Sequence, residues 1–219
     1  MRVSRTQAEE NRQKVIDVAS QLFREHGFDG IGLKDLMKGA GLTQGAFYKQ
    51  FASKDDLSAQ AASRALESTL NRWKVAAEEN PQDPLEEVLA LYLSMEHLAK
   101  RQDGCPVAAL GSDAARQGGG LKAAFEAGIT EQLEMLGGWI GDNHRNEFSG
   151  RAMVILSTMV GAMILARAVN DTELAREFLD TAADHVRAVV AAKASGARRT
   201  SVRKQRRNSR RKVPPARRV

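Results

Sequence analysis

The sequence predicts an all-α fold in two parts, a small N-terminal bundle of three helices followed by a larger helical domain. Three observations carry this. Apolar residues recur with the helical period wherever a pattern can be read. Helix ends are marked by caps, prolines and glycines at the right offsets. No segment shows the alternation of a convincing strand, and no internal repeat appears. The expected boundaries are residues 1–55, 56–192 and a disordered basic tail over 193–219.

In the first helix Val15, Val18, Ala19, Leu22 and Phe23 form one stripe, and Gly27 stops it with a residue suited to a left-handed cap. Arg12, Lys14 and Arg24 read as a solvated face. A short helix follows over Leu33 to Gly39, then a tight turn at Gly41-Leu42, then a helix from Thr43 to about Gln50. Ser53 with Asp56 three residues later opens a long helix that runs to the Asn80-Pro81 break. Asp83-Pro84-Leu85-Glu86 starts the next, which Gly104 ends. Another begins at Cys105-Pro106. The Gly118-Gly119-Gly120 run reads as a loop before a helix over Leu121 to Ile140. Residues 152–169 are apolar on nearly every side, and residues 172–192 form an amphipathic helix.

The net charge of +6 hides a split. Residues 193–219 carry 12 Lys and Arg and no acid, so residues 1–192 carry a net of −6. Within them, residues 1–55 have a net of +2 and residues 56–192 a net of −8. That asymmetry suits a nucleic-acid-facing first module and a more acidic body. The tail is either a solvated extension or an arm that binds phosphates without reading sequence. One cysteine, Cys105, excludes an intramolecular disulfide. The polar start has no apolar signal-peptide core, and Ser157, Thr158 and Arg167 interrupt the most apolar segment. A soluble cytoplasmic protein with no membrane partner is expected. The signatures of common enzymes are absent, and no enzyme activity is expected.

Residues 33–50 have the spacing of a helix-turn-helix, with Leu36, Ala40, Leu42 and Phe47 placed to lock its two short helices together. The stretch GFDGIGLKDLMKGAGLTQGAFYKQFASKDDL resembles the DNA-binding signature of TetR/AcrR-type regulators. Its marks are a first helix ending in LFREHGF, the turn at AGL, the aromatic pair FY, and F-x-S-K-x-x-L opening a long helix. The close match covers about residues 10–60. The resemblance implies a three-helix DNA-binding domain and a helical ligand-binding and dimerisation domain. It implies sequence-specific binding of a homodimer to a palindromic double-stranded operator, as a repressor released by an unidentified small-molecule effector. It places Thr43, Gln44, Gly45 and Ala46 against base edges in the major groove, and Tyr48, Lys49 and Lys54 on phosphates. Gly32 departs from the family pattern, where a Thr hydroxyl often donates to a phosphate.

Sensing has two candidates. Cys105 sits at an expected helix start, which favours a thiolate, and Arg101 one turn earlier could add positive charge. It is either a small buried residue or the sensor of a thiol- or electrophile-responsive regulator. Tyr92, Met95, Phe125, Met135, Trp139, Met159 and Met163 offer soft apolar lining for an effector pocket, which the resemblance implies and which ordinary core packing would also explain. His26, His97, His144 and His185 are scattered, so no metal site is expected, and no cofactor.

The all-round apolar helix 152–169 needs cover on two sides. With the stripe of 172–192 it suggests a four-helix dimer interface that includes Met159, Ala162, Met163, Phe178 and Val186. Which of Met159 and Phe178 faces the partner is left open. A rival of another class is a nonspecific DNA-architectural protein that uses the tail alone, and a more remote one is a helical enzyme.

Overall fold

The computed structural model describes residues 4–142 and 149–210, with side chains through residue 192. His144 and residues 211–219 of the basic tail lie outside the described residues. Among the described residues the chain is wholly helical, without a strand. Helix α1 (Arg5–His26) starts where Ser4 accepts a bond from the Gln7 amide, and it closes with the Gly27 amide on the Phe23 carbonyl. Helix α2 (Leu33–Gly39) turns into α3 (Gln44–Phe47) through Gly41, whose φ of 73° is left-handed and suits only glycine without strain. The Leu42 amide then bonds the Met37 carbonyl at 2.8 Å and seals the turn. Phe23, Leu36, Met37, Phe47 and Leu57 are fully enclosed and form the core of this unit.

Helix α4 (Lys54–Glu79) is capped reciprocally. Ser53 Oγ accepts from the Asp56 amide, and the Asp56 carboxylate accepts from the Ala52 amide, each at 3.0 Å. Helices α5 (Pro84–Tyr92), α6 (Met95–Ala99), α7 (Pro106–Ala114) and α8 (Gly119–Trp139) follow, and then α9 (Gly150–Ala168) and α10 (Thr172–Arg210). Helix α8 lies along α4, and α10 along α9. The first unit does not end at a packing gap near residue 55. Its core continues into Leu110 of α7 and Leu121 and Phe125 of α8. A second core gathers Trp73, Tyr92, Leu136, Ile155, Met159, Met163 and Val186. Helix α9 is long and apolar enough to cross a membrane by length and composition. Ala152, Ile155, Met159 and Met163 are nonetheless enclosed by the protein itself.

Five expectations need correction. The third helix stops at Phe47, because the Gln50 and Phe51 amides both turn back onto the Phe47 carbonyl. The single helix expected from Pro84 to Gly104 breaks at Leu93. Ser94 starts α6 there by accepting from the His97 amide, and a 3-10 turn over Arg101–Asp103 follows. Gly119 and Gly120 are the first turn of α8 rather than a loop. Arg12 and Arg24 are not a solvated face. The Arg12 guanidinium lies 5.3 Å from the centre of the Phe51 ring and bonds Gln60, and Arg24 is 5% exposed. Finally, α10 runs on to Arg210 where the expected helix ended at residue 192; Ala, Arg, Lys and Gln are good helix formers and no proline lies between Thr172 and Pro214.

Candidate nucleic-acid interface and effector cavity

Helix α3 is one turn long and cannot stand alone in water. Phe47 holds it from below, stacked 5.4 Å from Phe51 and edge-on to Tyr48 at 5.3 Å. With that side fixed, Thr43, Gln44, Gly45, Tyr48 and Lys49 face outward and are exposed. Tyr48 is 68% exposed, far more than an aromatic ring in a folded core would be. A Cβ added at Gly45 would meet nothing within 4 Å, so the outer surface of α3 is open to a groove. Ala46 is half-buried beside this face. Lys54 points its ammonium to the Phe28 carbonyl at 2.6 Å, which ties the start of α4 to the loop after α1. Two of its N–H groups remain for a phosphate.

In the larger domain, the break between α5 and α6 opens a cavity of about 130 Å³ against α4. Trp73, Leu91 and Tyr92 form its apolar wall, and Arg72, His97 and Cys105 its polar one. Cys105 is the N-cap of α7 with Pro106 behind it, and is 1% exposed. His97 organises this corner. Its Nδ1 lies 2.6 Å from the Tyr92 carbonyl, and its Nε2 accepts from the Cys105 amide at 2.9 Å. An acceptor at Nε2 leaves the proton on Nδ1, so the ring is neutral. Its pKa is lowered to about 4, chiefly by burial and also by Arg167, Arg72 and Arg24, against the opposing pull of the Tyr92 carbonyl.

Three guanidiniums surround the Gly104-Cys105 step. Arg24 donates to the Ser20 and Gly104 carbonyls, at 2.9 and 2.8 Å. Arg167 donates to the His97 carbonyl at 2.8 Å, and Arg72 reaches Thr69 Oγ1 at 3.4 Å. Burial lowers the pKa of each, that of Arg24 to about 10. A Cβ at Gly104 would come within 2.7 Å of Arg167 Nη2 and 2.9 Å of His97 Nε2, so only glycine lets these groups close in. Sequence reading looked to Arg101 for positive charge, yet its side chain is exposed. It missed Arg72, Arg167 and His97. The available signal was Arg167, the one charged residue in the apolar segment 152–169.

Of the seven residues expected to line a pocket, Tyr92 alone borders this cavity. Phe125 belongs to the core beneath the helix-turn-helix, Met159 and Met163 are enclosed, and Met95, Met135 and Trp139 pack on the second core. At the expected dimer face, Met159, Met163 and Val186 are enclosed within the single chain and have no surface to offer a partner. Ala162 and Phe178 border an outer groove between α9 and α10, together with Gly161, Leu165 and Leu174. His26 and His185 are exposed, and among the described residues no cluster of His, Cys, Asp and Glu is arranged for a metal.

Residues 15–61 match the family described as bacterial regulatory proteins, tetR family. Over 56 residues the chain is 41% identical to the HTH-type transcriptional regulator AcrR of Shigella flexneri, a span of 26% of each chain. Over 70 residues it is 33% identical to the HTH-type transcriptional regulator SAUSA300_2515 of Staphylococcus aureus, 32% of this chain and 38% of that one. The match therefore spans well under half the length of these relatives. The fold is shared more widely. A TetR-family regulator of Cytophaga hutchinsonii superimposes with a TM-score of 0.71 at 20% identity, over 88% of this chain and 98% of that one. The reduced form of NemR from E. coli does so with a TM-score of 0.66 at 23% identity, over 81% and 95%.

Proposed function

We propose that this chain is a TetR/AcrR-type transcriptional regulator, that it represses by binding a palindromic operator as a homodimer, and that it lets go when a small molecule occupies the larger domain. It regulates transcription and is not an enzyme. The observation that carries the operator reading is the outer face of α3, where Thr43, Gln44, Gly45 and Tyr48 stand exposed on a helix held rigidly from behind. Gln44 has the donor and acceptor to pair with an adenine edge, and the Ala46 methyl suits a thymine methyl. Tyr48, Lys49 and Lys54 serve phosphates and fix the register. The protein acts in the cytoplasm, where the operator is.

Release follows from differential affinity. A ligand that binds more tightly to a conformer with wrongly spaced recognition helices moves the population off DNA. Helix α4 is the lever, because its first turns pack in the helix-turn-helix core and its later ones border the cavity. Arg64 on α4 holds Asp17 on α1 at 2.6 Å, so α1 moves with it. A second mode of release, modification of the Cys105 thiol, is favoured by its position in the wall of the same cavity.

Footprinting of the purified protein on genomic DNA tests the operator reading. Two protected half-sites about one helical turn apart, related by a two-fold axis, are the expected result. Uniform coverage that disappears when the chain is cut after Ala192 would favour the architectural alternative instead.

A further inference from the structure

We propose that the cavity beside Cys105 is built for a small organic anion, a carboxylate carried on a single ring. The proposal rests on the effector reading of the larger domain and names the class of molecule that the cavity would take.

The donors come first. Tyr92 is 2% exposed and lines the cavity, yet its hydroxyl, which lies beside the Cys105 thiol, makes no full hydrogen bond. Arg72 Nε is likewise buried without an acceptor, and so are Nε and Nη1 of Arg167 behind the Gly104-Cys105 step. Buried polar groups are normally paired, and leaving one bare is costly. All four of these atoms are donors in the side chains' ordinary states. The one nearby acceptor on a ring, His97 Nε2, is already taken by the Cys105 amide. What the site lacks is an acceptor, and a charged one suits guanidiniums best.

The charge balance agrees. Arg24, Arg72 and Arg167 all lie within electrostatic reach of the Gly104-Cys105 step. Asp103 is the acid that offsets Arg24 and Arg72, and Glu25 acts on Arg167 against the repulsion of Arg101. At the mouth, Glu96 is paired with Lys100 at 2.6 Å and is spent there. The buried surplus is therefore positive.

Size and wall choose the rest of the molecule. A cavity of about 130 Å³ is close to that of an engineered cavity, about 150 Å³, known to hold benzene. Trp73 and Leu91 supply an apolar wall for a ring, while Arg72 and Tyr92 line the same cavity and offer their unpaired donors to its acidic end. Acetate would satisfy the donors and leave that wall bare.

Calorimetry on the DNA-free protein, with benzoate, benzamide, benzamidine and acetate as probes, tests this directly. Benzoate should bind about tenfold tighter than benzamide, with benzamidine weakest, and acetate should bind more weakly than benzoate. Arg72→Met keeps the apolar stem and should erase the preference for benzoate over benzamide. Tyr92→Phe removes one oxygen and should weaken benzoate several-fold. If Arg72→Met fails to fold, Tyr92→Phe and the wild-type ranking still decide. Equal binding of benzoate and benzamide, a preference for benzamidine, or no binding of any probe at about 10 mM would overturn the proposal, since even a weak fragment should register near the millimolar range. DNA release is measured separately on the footprinted fragment. Benzoate that binds as described without loosening DNA leaves the anion site standing and sinks effector release.

Discussion

The Arg24 guanidinium of α1 donates a 2.8 Å hydrogen bond to the carbonyl of Gly104, 80 residues further along the chain. Arg24 sits in the last turn of the helix that frames the helix-turn-helix unit. Gly104 is the residue before the cysteine that lines the cavity. The bond is buried, so it has few competitors in water, and it joins the two functional regions by one side chain. Anything that shifts the Gly104-Cys105 step pulls on α1 through it.

Cutting this bond gives the first prediction. Arg24→Met keeps an apolar stem and leaves the Gly104 carbonyl without this donor. Stability should fall by about 1–3 kcal/mol, the usual cost of a buried group left unpaired. Urea denaturation should show a lower midpoint at unchanged slope. The variant should also hold operator DNA with a weakened response to any effector, because the link from cavity to α1 is gone. An unchanged midpoint would mean that the bond is not closed in solution.

A second prediction follows from His97. Its folded pKa of about 4 lies below the ordinary 6.5, so between these values the unfolded chain binds a proton that the folded one refuses. Stability is therefore present above pH 6.5 and is lost as the pH falls toward 4, by up to about 3 kcal/mol for this one group. His97→Gln keeps a donor for the Tyr92 carbonyl and an acceptor for the Cys105 amide, and cannot titrate. It should be less stable at neutral pH but show a flatter decline over that window. Equal slopes in the two proteins would show that other groups set the acid limit.

The third prediction separates reading from holding. Gln44→Ala should weaken operator binding by about 1–3 kcal/mol and relax preference at one base position. Lys49→Ala should weaken all sequences alike and reduce the salt slope by about one unit. Lys54→Ala is a poorer probe, since it also releases the Phe28 carbonyl. Binding isotherms across a base-substitution series and three salt concentrations distinguish the two patterns. A Gln44→Ala protein with unchanged base preference would remove that side chain from the groove.

The helix-turn-helix was legible because its order is local. Gly41, the Ser53-Asp56 cap and the enclosed Leu36 and Phe47 act within a few residues of each other, and their spacing alone places them. The cavity was not legible, for the opposite reason. Arg72, His97 and Cys105 of its wall, and Arg24 and Arg167 behind it, come from five separate segments, and no period in the chain relates them. Met159 and Met163 misled as pocket residues because a helix apolar all round does not declare which side meets its own core. The break at Leu93 was hidden too. Nothing in Leu-Tyr-Leu-Ser forbids a continuous helix, and it is the Ser94 cap, with His97 bonding back to Tyr92, that makes the break stable.

The dimer supplies the last prediction, and the outward side of α9 is where it should be tested. Met153, Val154, Ile164 and Leu165 are 43–49% exposed, and Leu174 at the start of α10 is 41% exposed. Met153 and Ile164, and likewise Val154 and Leu165, lie about three turns apart, so the four make two rows on one broad face rather than scattered points. Leu165 and Leu174 border the groove edged by Gly161 and Ala162, where small side chains let another helix come close. A second copy of the chain, turned by a two-fold axis, would lay the same face against this one and cover both. Leu165→Glu should then leave the protomer folded, because the side chain is already half in water, and should abolish dimerisation and operator binding together. Met159→Glu should behave differently. Its side chain is wholly enclosed in the single chain, and a carboxylate there has no partner, so the fold itself should fail. Sedimentation at micromolar concentration, read alongside circular dichroism, separates a folded monomer from an unfolded chain. A Leu165→Glu protein that remains dimeric would move the interface off α9, and a wild type that sediments as a monomer would remove the palindrome with it.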